Sequence, residues 1–134
     1  MPYVTNEAVH DADAHIWELP DCLGPYIEAR FQERLQAHIR RIKSREFEDL
    51  RFPERTRRQH ANPEFRAGAE ENLMLRKQQD ALGAFCREDR VKALDMLGFS
   101  SQLIFSTFCL GNFKLDHSDE ADLAYAAARA HNRM

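Results

Sequence analysis

Residues 102–108 read Q-L-I-F-S-T-F, a short apolar run that contains β-branched and aromatic side chains. Runs of this length and composition are typical of a strand that is buried on both faces. Segments with helical periodicity precede this run and follow it in the sequence. A buried strand between two helices predicts an α/β fold with a parallel sheet.

A second strand is predicted near the N-terminus, at Val9–Trp17. From Asp11 onward its sequence, D-A-D-A-H-I, alternates between polar and apolar residues with the period of two that a strand requires. Alternate residues of a strand point to the same face, so we expect Asp11, Asp13, His15 and Trp17 to lie on one face. His10 is expected to point away from them.

Four helices are predicted between and after the two strands. They cover residues from Tyr26 to about Arg51, Glu64–Ala81, Arg87–Leu97 and a last segment from Ser118 to Met134. The first carries one apolar stripe, formed by Ile27, Phe31, Leu35, Ile39 and Ile42. Gly83 is expected to stop the second helix, Gly98 to cap the third, and Ser118 to cap the last. Val91 of the third helix is expected to face inward.

The polar stretch at 51–63, R-F-P-E-R-T-R-R-Q-H-A-N-P, predicts a long loop because Pro53 interrupts a helix. The basic residues of the wider stretch from Arg40 to Arg58 fit either a phosphate or nucleic-acid patch or a solvated helix and loop. Interleaved acidic residues and a net charge of −3 favour the solvated surface, so no nucleic-acid partner is expected. His38 and His60 lie in these charged surroundings and are expected to be exposed.

The three cysteines, Cys22, Cys86 and Cys109, are odd in number and far apart in sequence. Neither a disulfide framework nor a zinc knuckle fits this pattern, and a reducing, cytoplasmic setting is expected. Cys109 follows the apolar strand and is expected to be a buried structural thiol rather than a nucleophile. The sequence has no basic, apolar leader and no apolar run of roughly 18 residues, so no membrane partner is expected.

Asp13 and His15 are candidate metal ligands. Their Cα atoms lie about 6.6–7 Å apart on a strand, and side chains of this length can converge on one ion from that separation. A carboxylate oxygen and an imidazole nitrogen suit zinc, manganese or iron. The plainer interpretation is a solvated strand edge, since two ligands alone do not define a site.

Three stretches together resemble the amidohydrolase-related metal-dependent hydrolases. The first is D-A-D-A-H-I-W-E-L-P-D at 11–21, where the family has D-x-D-x-H-x-x-E-P-x-D. The second is R-x-x-x-L-D-x-L-G-F at 90–99, followed by the 102–108 strand, and the third is the helix at 121–134. The chain departs from the family at Leu19, where many relatives have a second proline or a small residue, and this affects only the loop shape.

The resemblance implies an α/β fold that is the N-terminal portion of a (β/α)8 TIM barrel, with a long helical insertion after the first strand. Residues 1–134 then form a single partial domain. Its parts are the first strand and metal-motif loop at 1–21, the helical insertion at 22–85, and helix, second strand and helix at 86–134. The remainder of the barrel is expected beyond Met134, together with the general base.

The resemblance also implies the site and the activity. Asp13 and His15 match the pair that binds the catalytic divalent metal, most often zinc, and Glu18 has a possible supporting role. His117 and His131 are not placed as ligands. A metal-activated water attacks a carbonyl-type carbon of a small organic substrate in the hydrolases of this family.

Two alternatives stay open from the sequence. The decarboxylase branch of the same family, which includes aminocarboxymuconate-semialdehyde decarboxylase, removes carboxylate from an aromatic or unsaturated acid. The other alternative is a small, non-enzymatic α/β binding or assembly module. In either enzyme, this chain alone is expected to have an incomplete site and to be inactive. An unpaired edge of the 102–108 strand would favour self-association, so a homo-oligomer is possible.

Overall fold

A computed structural model describes residues 2–42, 49–109, 115 and 119–134. Within these residues the chain forms two strands, five α-helices and a 3-10 segment. In chain order they are β1 (Val9–Ile16), α1 (Ala29–Ile39), α2 (Phe52–Ala61), α3 (Pro63–Glu71), the 3-10 segment (Gln78–Asp80), α4 (Arg87–Leu97), β2 (Phe99–Ser106) and α5 (Ala121–His131). The protein is therefore mixed α/β, as predicted, and β1 pairs with β2 in parallel.

The chain divides into two compact units. Unit 1 consists of Met1–Glu18 and Thr56–Thr107, and unit 2 consists of Leu19–Arg55 and Phe108–Met134. Unit 1 therefore holds the sheet with α3 and α4, and unit 2 holds α1 and α5. None of the described helices is long and apolar enough to cross a membrane.

The parallel sheet of unit 1 has an irregular register. Asp11 is opposite Gln102 and Ala14 is opposite Ile104, so three steps along β1 match two along β2. An extra residue of this kind is a β-bulge, and it reverses the facing of the residues that follow it. Residues on either side of the bulge that would share a face in a regular strand therefore lie on opposite faces.

The prediction that β2 is buried on both faces is wrong for the described structure. The exposed fractions are 59% for Leu103, 44% for Ile104 and 42% for Phe105. The strand has β1 on one edge, and no other described strand pairs with it. The apolar side chains of β2 are therefore not buried by the described residues.

Helix α4 packs on the sheet of unit 1, and a glycine ends the helix. Gly98 follows the helix in a left-handed conformation, with φ of +75°, and its N–H donates to Leu94 O and Asp95 O. This confirms the predicted cap. The prediction for Val91 is wrong, because Val91 is 56% exposed and Ala93 faces the interior instead.

Helix α3 is fastened to α4 by an ion pair. The Arg66 guanidinium donates two hydrogen bonds to the Asp89 carboxylate, whose side chain is only 8% exposed. These bonds hold the pKa of Asp89 below its usual value of 3.8. A small apolar cluster of Ala69, Leu82 and Ala93 packs between the same elements.

The predicted loop at 51–63 is wrong, because most of it forms helix α2. Pro53 lies in the first helical turn, where its missing N–H has no intrahelical partner to lose. Pro53, Thr56 and His60 are buried at spacings of three and four, so the buried stripe of this helix contains hardly any apolar residue. Hydropathy alone does not reveal such a stripe.

His60 is buried rather than exposed, with 6% of its surface accessible. Its Nε2 lies 2.6 Å from Gln79 O, and its ring lies against Phe65 and Phe85. It is therefore a core histidine of unit 1.

Helix α3 ends at Glu71, ten residues before the predicted end. Asn72 leaves the helical conformation there, and its side-chain amide donates a hydrogen bond to Gly68 O.

Unit 2 is built on the predicted stripe of α1. Ile27, Phe31, Leu35 and Ile39 are buried, and Ile42 packs against them. They meet the alanine-rich face of α5, formed by Leu123, Ala126, Ala127 and Ala130. The predicted cap at Ser118 lies outside the described residues, and α5 begins at Ala121.

An arginine joins α1 to the start of α5. Arg34 donates to both Asp122 oxygens, over 2.7 and 2.8 Å, and its Nη2 lies 3.1 Å from Glu120 Oε2. The hydrogen bonds from Arg34 lower the pKa of Asp122 from 3.8 to about 2. The carboxylate is therefore more stable in the folded protein than in the unfolded chain.

Replacing Gly98 by alanine is expected to lower the free energy of unfolding by roughly 2 kcal/mol or more, because of left-handed strain and collision. A Cβ at this position would lie 2.1 Å from Val4 O. Gly68→Ala is the matched control. Gly68 lies within α3, and a Cβ there would meet only the end of the flexible Arg76 side chain, at 3.3 Å. If Arg76 moves by a few tenths of an ångström, alanine is expected to stabilise by about 0.5–1 kcal/mol. Urea unfolding followed by circular dichroism measures both. Equal stability of Gly98→Ala and the wild type would contradict the structure at this turn.

The ion pair of Arg34 and Asp122 is expected to make stability depend on acid pH. Because the folded pKa is lowered to about 2 from 3.8, the stabilisation is complete above 3.8 and is lost as pH falls toward 2. Asp122→Asn is expected to be less stable than the wild type at about pH 6, with the difference vanishing near pH 2. Asp119→Asn is the control. A difference for Asp122→Asn that is constant over this range, in urea unfolding, would refute the pairing.

Candidate metal centre

Asp13 and His15 lie in the carboxyl-terminal half of β1 and their side chains converge. His15 Nε2 is 3.5 Å from Asp13 Oδ1. The Asp13 side chain is 89% exposed and that of His15 is 45% exposed, so solvent and ions reach both donor atoms. The spacing noted in the sequence thus brings a carboxylate oxygen and an imidazole nitrogen together at an accessible position.

Thr107, the residue after β2, touches the other side of the His15 ring. Its hydroxyl oxygen lies 3.3 Å from His15 Nδ1. A threonine hydroxyl either donates or accepts, so this contact fits each neutral tautomer of the imidazole. Histidines that bind metal through one nitrogen commonly hold the other in such a hydrogen bond, which fixes the ring orientation.

Glu18 is not part of the exposed pair but holds Thr107 in place. The Thr107 N–H donates to Glu18 Oε2 over 3.0 Å, and Glu18 is 2% exposed. A buried carboxylate that accepts a backbone hydrogen bond ties the segment after β1 to the segment after β2. Glu18 therefore positions the Thr107 backbone, and the Thr107 hydroxyl in turn contacts His15.

The bulge in β1 decides which residues share the face of the pair. His10 Nδ1 lies 2.8 Å from Ser101 Oγ, and the His15 ring lies against Phe105, with centroids 5.8 Å apart. Ser101 and Phe105 are four positions apart on β2 and thus on one face. His10 and His15 consequently share that face, and the expectation that His10 points away is wrong.

Asp11 lies on the opposite face, under helix α4. Its Oδ2 accepts a hydrogen bond from Gln102 Nε2, and Gln102 Oε1 accepts one from Arg90 Nε of α4. Burial lowers the pKa of the Arg90 guanidinium, and the Asp11 carboxylate opposes that shift. The expectation that Asp11 shares a face with Asp13 and His15 is therefore wrong, and Asp11 belongs to the packing of the helix on the sheet.

Thr107 was not among the residues singled out in the sequence. The signal for it was present, because the carboxyl ends of neighbouring parallel strands meet at one edge of a sheet. Residues that directly follow the second strand are therefore expected to lie beside those at the end of the first. The contact between Thr107 and His15 depends on the register, which the sequence alone does not give.

No protein-family model, curated protein or solved structure matches the chain.

Removing the Glu18 carboxylate is expected to loosen Thr107. Glu18→Ala leaves the Thr107 N–H without its acceptor, which is expected to cost roughly 1–3 kcal/mol of unfolding free energy and to speed exchange of that amide. Glu18→Gln keeps an oxygen at the same position and is expected to retain protection. Hydrogen–deuterium exchange read by NMR measures the amide directly. Unchanged exchange of Thr107 in Glu18→Ala would contradict the positioning role.

Proposed function

We propose that this chain carries the first two strands of a metal-dependent hydrolase of the amidohydrolase type, with Asp13 and His15 as ligands of a divalent metal. The observation that carries the proposal is the 3.5 Å separation of Asp13 Oδ1 and His15 Nε2 in the carboxyl-terminal half of β1. Zinc is the first candidate, and manganese or iron also suits this donor set.

The separation of the two donor atoms fits a single ion. Zinc bonds to carboxylate oxygen and imidazole nitrogen are about 2.1 Å long, so two ligand atoms of a tetrahedral ion are roughly 3.4 Å apart. The observed 3.5 Å matches that distance. Because both side chains are accessible, binding does not require an opening of the structure.

The topology of unit 1 supports the barrel architecture. In a (β/α)8 barrel, parallel strands are covered by helices on the outside, and functional residues lie at the carboxyl ends of the strands. Here α4 packs on the face of Asp11 and Gln102, whereas Asp13, His15 and Phe105 lie on the other face. That other face corresponds to the barrel interior, and further strands of a barrel would cover Leu103 and Phe105.

The proposal assigns separate tasks to the residues of this chain. Asp13 and His15 hold the metal, which when bound lowers the pKa of a water ligand to about 7 and polarises a carbonyl. The Thr107 hydroxyl contacts His15 Nδ1 and would leave Nε2 available as the metal ligand. Glu18 holds the Thr107 backbone. The remaining ligands and the general base would come from later strands of the barrel, which would also complete the pocket for a small organic substrate.

Zinc titration of the chain, followed by NMR of the histidine rings and backbone amides, tests the pair. Zinc is expected to perturb His15 most, together with the amides around Asp13 and Thr107. Two protein ligands form a weak site, so fast exchange and modest affinity are expected, and line broadening by Mn²⁺ at the same residues gives a second readout.

Two variants and one control make the titration specific. Asp13→Ala and His15→Ala are each expected to remove the perturbation around Thr107. His10→Ala is the matched control, because His10 lies on the same face of the same strand but contacts Ser101 instead. Perturbation that centres on another residue, or that persists in both ligand variants, would overturn the proposal. In a longer protein that completes the barrel, either ligand variant is expected to nearly abolish turnover.

A further inference from the structure

Unit 2 brings two cysteines into contact that are 87 positions apart in the sequence. Cys22 Sγ and Cys109 Sγ lie 3.5 Å from each other. Cys22 lies in the turn after Leu19, and its N–H donates to Leu19 O over 2.9 Å. Cys109 follows β2 by three residues and is completely buried. The number and spacing of the cysteines in the sequence predict no disulfide framework and do not indicate this contact.

We propose that Cys22 and Cys109 form a reversible redox pair, which a hydroperoxide or a small-molecule disulfide converts to an intramolecular disulfide. Sulfur atoms at 3.5 Å are in van der Waals contact, and a disulfide bond is about 2.05 Å long. An approach of about 1.5 Å closes the difference, and small rotations about the two Cα–Cβ bonds supply it. Both residues belong to the same compact unit, so no rearrangement of units is required.

The two thiols differ in solvent exposure, and this difference indicates which one an oxidant reaches first. Cys22 is partly exposed, whereas Cys109 lies within the apolar core of unit 2. An oxidant from solvent therefore reaches Cys22 first, and Cys109 is protected from direct attack. This arrangement, an accessible thiol beside a second thiol that resolves it, is typical of cysteines that respond to oxidation.

The chemistry balances with one hydroperoxide molecule. The Cys22 thiolate attacks the peroxide oxygen, the O–O bond breaks, and Cys22 becomes a sulfenic acid while the peroxide leaves as water or alcohol. The Cys109 sulfur then attacks the Cys22 sulfur, the S–O bond breaks, and the hydroxyl leaves as a second water with the thiol proton. Two thiols are thus oxidised by two electrons. With a small-molecule disulfide, the Cys22 thiolate attacks one of its sulfur atoms and releases one small thiol, and the Cys109 sulfur then attacks Cys22 and releases the second. Two molecules of a thiol such as glutathione reverse the exchange and become a disulfide themselves.

The disulfide would join the two segments from which unit 2 is assembled. Cys22 belongs to Leu19–Arg55 and Cys109 to Phe108–Met134. A cross-link between residues so far apart removes much of the freedom of the unfolded chain. In a reducing compartment both thiols stay reduced, so the bond would respond to oxidation rather than serve as a permanent part of the fold.

Oxidation of the full chain with hydrogen peroxide, and separately with oxidised glutathione, tests the pair. Remaining thiols are alkylated after unfolding and mapped by mass spectrometry. The wild type is expected to lose two of its three reactive thiols, to yield a peptide that links Cys22 to Cys109, and to form no disulfide between two chains. Its Tm is expected to rise by at least roughly 5 °C on oxidation and to return after reduction.

Cys86→Ser is the matched control, because Cys86 belongs to unit 1 and its thiol donates to Glu88 Oε2. It is expected to form the same disulfide, whereas Cys22→Ser is expected to form none. Because Cys109 is in the core, Cys22→Ser carries the test if Cys109→Ser fails to fold. Three thiols that stay alkylatable in the oxidised wild type, a bond that involves Cys86, or a lower Tm after oxidation would overturn the proposal.

Discussion

Parallel pairing of β1 with β2 is the constraint on which the rest of unit 1 depends. It places the carboxyl ends of both strands at one edge, so that residues after β1 meet residues after β2. His15 reaches the hydroxyl of Thr107, and Glu18 accepts the Thr107 N–H, only because the register sets Ile16 opposite Ser106. One backbone alignment therefore organises the whole neighbourhood of the candidate metal centre.

The bulge in β1 adds a second constraint, because it separates side chains that a regular strand would keep together. Asp11 turns toward Gln102 and Arg90, where its charge serves the packing of α4. Asp13 and His15 turn to the other face, where both are accessible. In a regular strand, Asp11, Asp13 and His15 would all lie on one face. The bulge places Asp11 on the face that packs under α4 and places the candidate metal ligands on the other face.

The sequence predicted the elements whose burial is apolar and regular. The stripe on α1, the extent of α4 and the glycine that ends it were all confirmed, because burial and left-handed geometry have direct signatures in residue type. Helix α2 was missed since its buried residues include Thr56 and His60, which hydropathy assigns to the surface. The bulge and the contact between Cys22 and Cys109 depend on register and on distant packing, and neither has a local signature.

The central claim is that Asp13 and His15 together hold a divalent metal. Crystals of the protein grown with zinc, with anomalous diffraction measured on both sides of the zinc edge, test it most directly. We expect an anomalous peak about 2.0–2.2 Å from a carboxylate oxygen of Asp13 and from Nε2 of His15. A zinc peak elsewhere, with Asp13 and His15 contacting only solvent, would contradict the claim.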